Sequence, residues 1–274
     1  MDFELSSPYR FAYRDHGDPE QPCLLFMHGF MGDKHDWDDI TPSFRRDYRT
    51  LAIDLPGHGE TTVPDDSLYR MEHCAAGLIS LLQNLGIGDC SVIGYSMGGR
   101  LAVYLAAAFP QRFSSFILES TSPGLKTAEE RRVRREHDEA LARRLEDGDF
   151  SDFLQEWYQQ PLFSSLSSDR STLESIIKKR LQNDPARLAR SLRMMGTGTQ
   201  PPVWERLGKI TAPVLMLSGG LDAKFSGIAT EVTRLCRSAK SHIISGCGHN
   251  VHAENPAAFV KACRRFLSEN KQGK

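Results

Sequence analysis

The 274-residue chain is notable first for what it lacks. No apolar run approaches the roughly 20 residues that span a bilayer, which excludes a membrane-spanning helix. The opening stretch MDFELSSPYRFAYRDHG has neither a basic region nor an apolar core, so no secretory leader is expected. Neither sign of charge dominates: 34 Lys and Arg against 35 Asp and Glu give a net charge of −1. That removes the electrostatic footprint of a nucleic-acid or anionic-membrane binder. The six cysteines, Cys23, Cys74, Cys90, Cys236, Cys247 and Cys263, form no CxxC pair and keep no regular spacing. They predict small buried side chains in a reducing, cytoplasmic setting, with neither disulfides nor a zinc site.

What is present is strand–helix alternation. Residues 23–27 (CLLFM), 49–53 (RTLAI), 91–94 (SVIG), 113–118 (FSSFIL), 213–217 (PVLML) and 241–244 (SHII) are short apolar runs. Such runs fit strands buried on both faces. Between them, residues 71–85 place Met71, Cys74, Leu78, Leu81, Leu82 and Leu85 at helical spacing, ended by Gly86. Residues 101–108 and 256–267 predict further helices. The alternation argues for an α/β fold with a mostly parallel sheet flanked by helices. From about Pro123 to Pro202 the rhythm breaks, leaving charged amphipathic patterns such as EERRVRREHDEALARRLE. This predicts a helical cap of residues 123–202, set into a core made of residues 1–122 and 203–274. The other reading of the segment is a separate helical domain. No heptad or apolar surface run is evident, so a monomer is expected.

Gly94-Tyr95-Ser96-Met97-Gly98 fits the nucleophile elbow G-x-S-x-G, with an apolar run before it and a helical pattern after it. The turn strains the serine and lifts its hydroxyl above the sheet edge, at a helix N-terminus that favours developing negative charge. A serine needs a base, and the base needs an orienting acid. In this order of elements they are Asp222 after PVLMLSGG and His249 after SHIISGCG. His252, three residues on, is free to face solvent, and His58 lies in the upstream turn DLPGHGET. The backbone N–H groups of Phe30, in HGFMG, and Met97 are the expected oxyanion hole. His28 reads as a residue that orders its loop. Arg100, four residues after the serine, falls on the first turn of the following helix. There it is either a carboxylate-binding fork or half of a surface ion pair.

HGFMG, DLPGHG, GYSMGG, GGLD and GHNVHAENP occur in the order found in the α/β-hydrolase superfamily, which the chain resembles over nearly its whole length. That resemblance implies the α/β-hydrolase fold with the cap inserted after the sixth strand. The cap stretches ERRVRREHDEALA, WYQQPLFSSL and KKRLQNDPARLARSLRMMGTGTQP, taken with HGFMGDKHDW and GYSMGGRLA, are similar to a narrower group. This is the 2-succinyl-6-hydroxy-2,4-cyclohexadiene-1-carboxylate synthase (MenH) family of menaquinone and phylloquinone biosynthesis. The resemblance implies elimination of pyruvate from an enolpyruvyl cyclohexene precursor bearing three carboxylates, without metal or organic cofactor. It implies substrate contacts from Tyr95, Arg100, Arg134, Trp157 and Arg180. Arg131, Arg132 and Arg135 compete with Arg134 for that role, and Lys178 and Lys179 with Arg180. Most cap charges read as a solvated face, and Trp157 reads equally as cap core. Two other functions use the same residues. One is a serine esterase or carbon–carbon bond hydrolase, which rapid turnover of p-nitrophenyl acetate without pyruvate release would mark. The other is a non-catalytic ligand-binding protein, which binding without turnover would mark.

Overall fold

The computed structural model describes residues 8–271. The stretch read for a leader and both ends of the expected core segments therefore lie partly outside the described residues. Seven strands make one sheet: β1 Tyr13–His16, β2 Cys23–Met27, β3 Arg49–Ile53, β4 Cys90–Tyr95, β5 Ser115–Glu119, β6 Val214–Gly219 and β7 Ala239–Ile244. Their order is β1-β3-β2-β4-β5-β6-β7, parallel except for β1, which runs antiparallel to β3.

The apolar runs are continuous because alternate residues feed two cores. Leu25, Met27 and Val92 join one cluster with Leu78 and Leu82 of α1 (Met71–Asn84) and Leu101 and Leu105 of α2 (Met97–Ala108). Leu24, Phe26 and Ile93 join the other with Trp37 and with Phe259, Cys263 and Phe266 of α9 (Pro256–Lys271). Both faces are thus covered, as a parallel sheet requires. All six cysteines are buried and unbridged.

Three details depart from the sequence-based expectation. The cap leaves the sheet after β5, the fifth strand among the described residues rather than the sixth; of the described residues ahead of β1, Arg10 forms an isolated bridge to Thr62 and no further strand is counted. The last strand is not buried on both faces: β7 closes the sheet edge, and Lys240 to Ile243 are exposed. Of the run at 113–118, only Ser115 onward belongs to the strand, Ser114 N–H making the first bond to β4 at Cys90 O, 2.9 Å.

Between β5 and β6 stand α3 (Ala128–Asp147), α4 (Phe150–Tyr158), α5 (Arg170–Arg180) and α6 (Pro185–Met195). A capping box, Thr127 with Glu130, starts α3. These helices bury their own cluster, including Ala142, Leu145, Phe153, Leu154, Leu188 and Leu192, and receive Met31 from the sheet side. No helix among the described residues is long and apolar enough to cross a membrane.

Candidate active site

The C-terminal ends of β2, β4, β5 and β6 meet beneath the cap. Ser96 follows β4 with φ 48° and ψ −103°, a conformation costing an L-residue about 1–3 kcal/mol. The flanking glycines make this possible by close approach. A Cβ on Gly94 would lie 2.6 Å from the Gly98 carbonyl oxygen, and one on Gly98 would lie 2.3 Å from that of Met27. Ser96 N–H donates to Glu119 O at 2.9 Å, and Thr121 Oγ1 donates to Ser96 O at 2.9 Å, so the neighbouring strand end holds the strained turn.

The expected relay is assembled. His249 Nε2 lies 3.2 Å from Ser96 Oγ, and His249 Nδ1 lies 2.8 Å from Asp222 Oδ2. Asp222 is also the N-cap of α7 (Ala223–Leu235), its Oδ1 accepting from Phe225 N–H at 3.1 Å. Both His249 and Asp222 are buried. The rings of Phe225, Tyr95 and Phe163 lie 4.7, 5.4 and 5.9 Å from the imidazole and leave it little rotational freedom. The sequence reading missed Glu254. Its carboxylate accepts the N–H groups of Gly248 at 2.8 Å and Asn250 at 3.2 Å, bracketing His249 from both sides. A carboxylate five residues beyond a histidine carries no motif that would have revealed it.

The other histidines are occupied elsewhere. His252 does not face solvent: it is buried, stacks on Trp37 at 4.5 Å and pairs with Glu119, Nδ1 to Oε2 at 2.7 Å. Its backbone N–H donates to the same carboxylate at 3.0 Å, a pairing between β5 and α8 (Val251–Glu254) that only the sheet order creates. His28 donates from Nδ1 to Gly29 O and accepts Leu55 N–H at Nε2, tying two loops together. His58 is buried, with Nδ1 on Pro56 O at 3.2 Å.

Above Ser96 lies a cavity of about 570 Å³, lined among others by Phe30, Met97, Arg100, Arg134, Trp157 and His249. Gly98 N–H donates to His28 O at 3.0 Å, which joins the elbow to the loop carrying Phe30. Within the described residues, neither the Phe30 nor the Met97 amide donates to another protein group. Tyr95 lines the cavity from below, edge-on to His252 at 4.9 Å, its hydroxyl held protonated by burial and, secondarily, by the Glu119 charge. Trp157 lines the cavity and also stacks on Phe153 at 5.9 Å, so it is both wall and cap core.

Arg100 is not half of a surface ion pair. Its Nη1 donates to Met195 O at 2.8 Å and to Gln200 Oε1 at 3.2 Å, both neutral acceptors. Burial, and then the Arg134 charge, bring its pKa down to about 10. Among Arg131, Arg132, Arg134 and Arg135, only Arg134 lines the cavity. Arg131 serves the Leu125 and Lys126 carbonyls, Arg132 pairs with Glu129 and Glu136, and Arg135 bonds Gly198 O. Arg134 is steadied through Nε by Asp138 at 2.7 Å. Arg180 also reaches the cavity wall, but Asp36 takes both of its terminal nitrogens, at 2.7 and 2.8 Å. It therefore brings a charge already neutralised. Asp36 was not singled out from the sequence, since it stands 144 residues from its partner. Lys224, also unforeseen, lies on the wall beside Asp222. Among the described residues, no group of three or more His, Cys, Asp or Glu side chains is placed to hold a metal ion.

The α/β-hydrolase fold profile matches residues 22–256. A 2-succinyl-6-hydroxy-2,4-cyclohexadiene-1-carboxylate synthase of Citrobacter koseri is 36% identical, the match covering 93% of this chain and 98% of that protein. Its counterpart from Escherichia coli O1:K1 is 34% identical with the same coverage. Among solved structures, MenH from S. aureus superposes with a TM-score of 0.90 at 34% identity, covering 97% of this chain and all of that one. With the full-length match carrying the cap as well as the elbow, the chain belongs to the 2-succinyl-6-hydroxy-2,4-cyclohexadiene-1-carboxylate synthase family of α/β-hydrolase-fold proteins.

Proposed function

We propose that the chain is a carbon–oxygen lyase. It eliminates pyruvate from 2-succinyl-5-enolpyruvyl-6-hydroxy-3-cyclohexene-1-carboxylate, giving 2-succinyl-6-hydroxy-2,4-cyclohexadiene-1-carboxylate in menaquinone or phylloquinone biosynthesis. The observation that carries the reading is the hydrogen-bonded chain Asp222–His249–Ser96 opening into a cavity where, among the described residues, Arg100 meets only neutral acceptors and Arg134 meets Asp138 through Nε alone.

In this mechanism His249 carries its proton on Nδ1, facing Asp222, and accepts at Nε2. Ser96 Oγ takes the proton α to the succinyl ketone while passing its own to His249. The negative charge that develops on the ketone oxygen is received by the Phe30 and Met97 N–H groups. Each such donor contributes roughly 2.7–4 kcal/mol. Electrons then move through the ring double bond and break the carbon–oxygen bond to the enolpyruvyl group. The proton held on His249 returns to the departing enolpyruvate, which tautomerises to pyruvate. Arg100 and Arg134 bind carboxylates and set the reacting hydrogen under Ser96 Oγ, an orientation effect. Tyr95, Trp157 and Arg180 complete the wall. Residues 123–202 act as the cap over a core of residues 1–122 and 203–274, and the working unit is a cytoplasmic monomer.

Pyruvate release from enzymatically generated precursor, with Ser96→Ala as control, tests this reading. Pyruvate formed by the wild type and lost in the variant supports it. Rapid hydrolysis of p-nitrophenyl acetate with no pyruvate from the precursor would replace it with a serine hydrolase.

A further inference from the structure

The loop after β2 is held from the cap. Gly32 N–H donates to Gly29 O at 3.0 Å, closing a four-residue turn with Phe30 and Met31 at its centre. Met31 has φ 63°. A turn with this hydrogen bond and a left-handed third residue normally takes glycine there, because a side chain is strained in that conformation. Something outside the turn must therefore stabilise it.

The corner between α5 and α6 supplies two such restraints. Asn183 Nδ2 donates to Met31 O at 2.8 Å, while its Oδ1 accepts Gly59 N–H at 3.3 Å. Three residues earlier, Arg180 grips Asp36, at the foot of the same loop, with both terminal nitrogens, and Arg180 Nε donates to Tyr158 OH at 3.3 Å. Arg180 and Asn183 are 4% and 9% exposed, so these bonds form away from competing water. Gly32 lets Asp36 in: a Cβ there would lie 2.3 Å from Asp36 Oδ2.

We infer that Asn183 and the Arg180–Asp36 pair are positioning residues, a clamp from the cap that holds the Gly29–Gly32 turn in its strained form and thereby fixes the Phe30 N–H. This rests on the oxyanion role proposed for Phe30. It gives Arg180 a task beyond binding a carboxylate, and it explains why its fork is filled while those of Arg100 and Arg134 are not.

Two near-isosteric variants test the clamp. Asn183→Asp removes the donor to Met31 O, and Asp36→Asn removes the charge that Arg180 grips. A loosened turn misplaces a donor that matters only as charge develops, so kcat should fall about tenfold or more with KM within about threefold. Unchanged kcat in both variants overturns the inference. So does Asp36→Asn with intact kcat and a lowered KM, which would make Arg180 a simple substrate ligand freed from its competitor. Should Asp36→Asn not fold, Asn183→Asp decides alone. If the wild type releases no pyruvate, the lyase reading fails, and the same variants assayed on p-nitrophenyl acetate, whose acyl transfer loads the same amides, still decide the clamp.

Discussion

The strand ends and the cap handle charge in opposite ways. At the strand ends buried ionic groups meet carboxylates that the fold brings to them: His249 with Asp222, His252 with Glu119, and Lys34 with Asp54 at 2.8 Å and with Glu60 at 2.6 Å. On the cap other charges pair with one another near the surface, as Arg132 does with Glu129 and Glu136, and Arg143 and Arg193 with Glu139. Such pairs are worth about 0–1 kcal/mol each. Among the arginines of the cap, Arg134 and Arg180 line the cavity. The contrast teaches that a high charge density says little about a site. What matters is whether a cation is buried and what already neutralises it.

The largest expected effect lies at the strand ends. Ser96→Ala and His249→Ala should each lower kcat for pyruvate release by about a thousandfold or more, because the relay works as a unit. Residual turnover within tenfold of wild type would mean that the strand-end pairing is structural only. Next comes the floor of the cavity. Arg100→Ala should reduce kcat/KM about tenfold or more, chiefly through KM, as charged hydrogen bonds contribute about 1.5–3 kcal/mol. An unchanged kcat/KM would remove Arg100 from substrate binding and erase the distinction between cavity and surface arginines.

A smaller effect comes from His58. Burial first, then the nearby His28, hold its pKa well below 6.5. Below about pH 6.5 the unfolded chain therefore binds a proton that the folded chain refuses. Stability is full above that pH and falls beneath it, by about 1.4 kcal/mol per pH unit for one group. Urea midpoints at pH 7 and pH 5 should separate for the wild type and separate less for His58→Gln; equal separations would exclude His58 as the source. The smallest effect sharpens the comparison from the other side. Arg132→Ala should leave kcat/KM unchanged and stability within about 0.5 kcal/mol, since its partners are exposed. A clear kinetic loss would show that the outer face of α3 is not merely solvated.

The relay could be read from the sequence because each of its parts is local. A strand, a tight turn and a helix N-terminus impose glycines at fixed spacing around Ser96, and Asp222 and His249 each follow a recognisable strand. The cap roles were only half legible. Arg100 was placed by its distance from the elbow, but which of Arg131, Arg132, Arg134 and Arg135 turns inward depends on how α3 rolls against α6, and one residue of helix moves a side chain by 100°. Asp36, Asn183, Glu119 and Glu254 were not singled out, because each acts through a hydrogen bond or ion pair that no motif marks.

By itself, then, the sequence determined the alternation of strands and helices, the strained serine and the order of its partners. These follow from short-range sterics and hydrophobic period, which neighbouring residues enforce. Only the tertiary structure decided that His252 is buried against Glu119, that Arg134 faces the cavity, and that Arg180 arrives already paired with Asp36. A buried charge is neutralised by whatever the fold brings within about 3 Å, and that partner is chosen by packing between segments far apart in the chain.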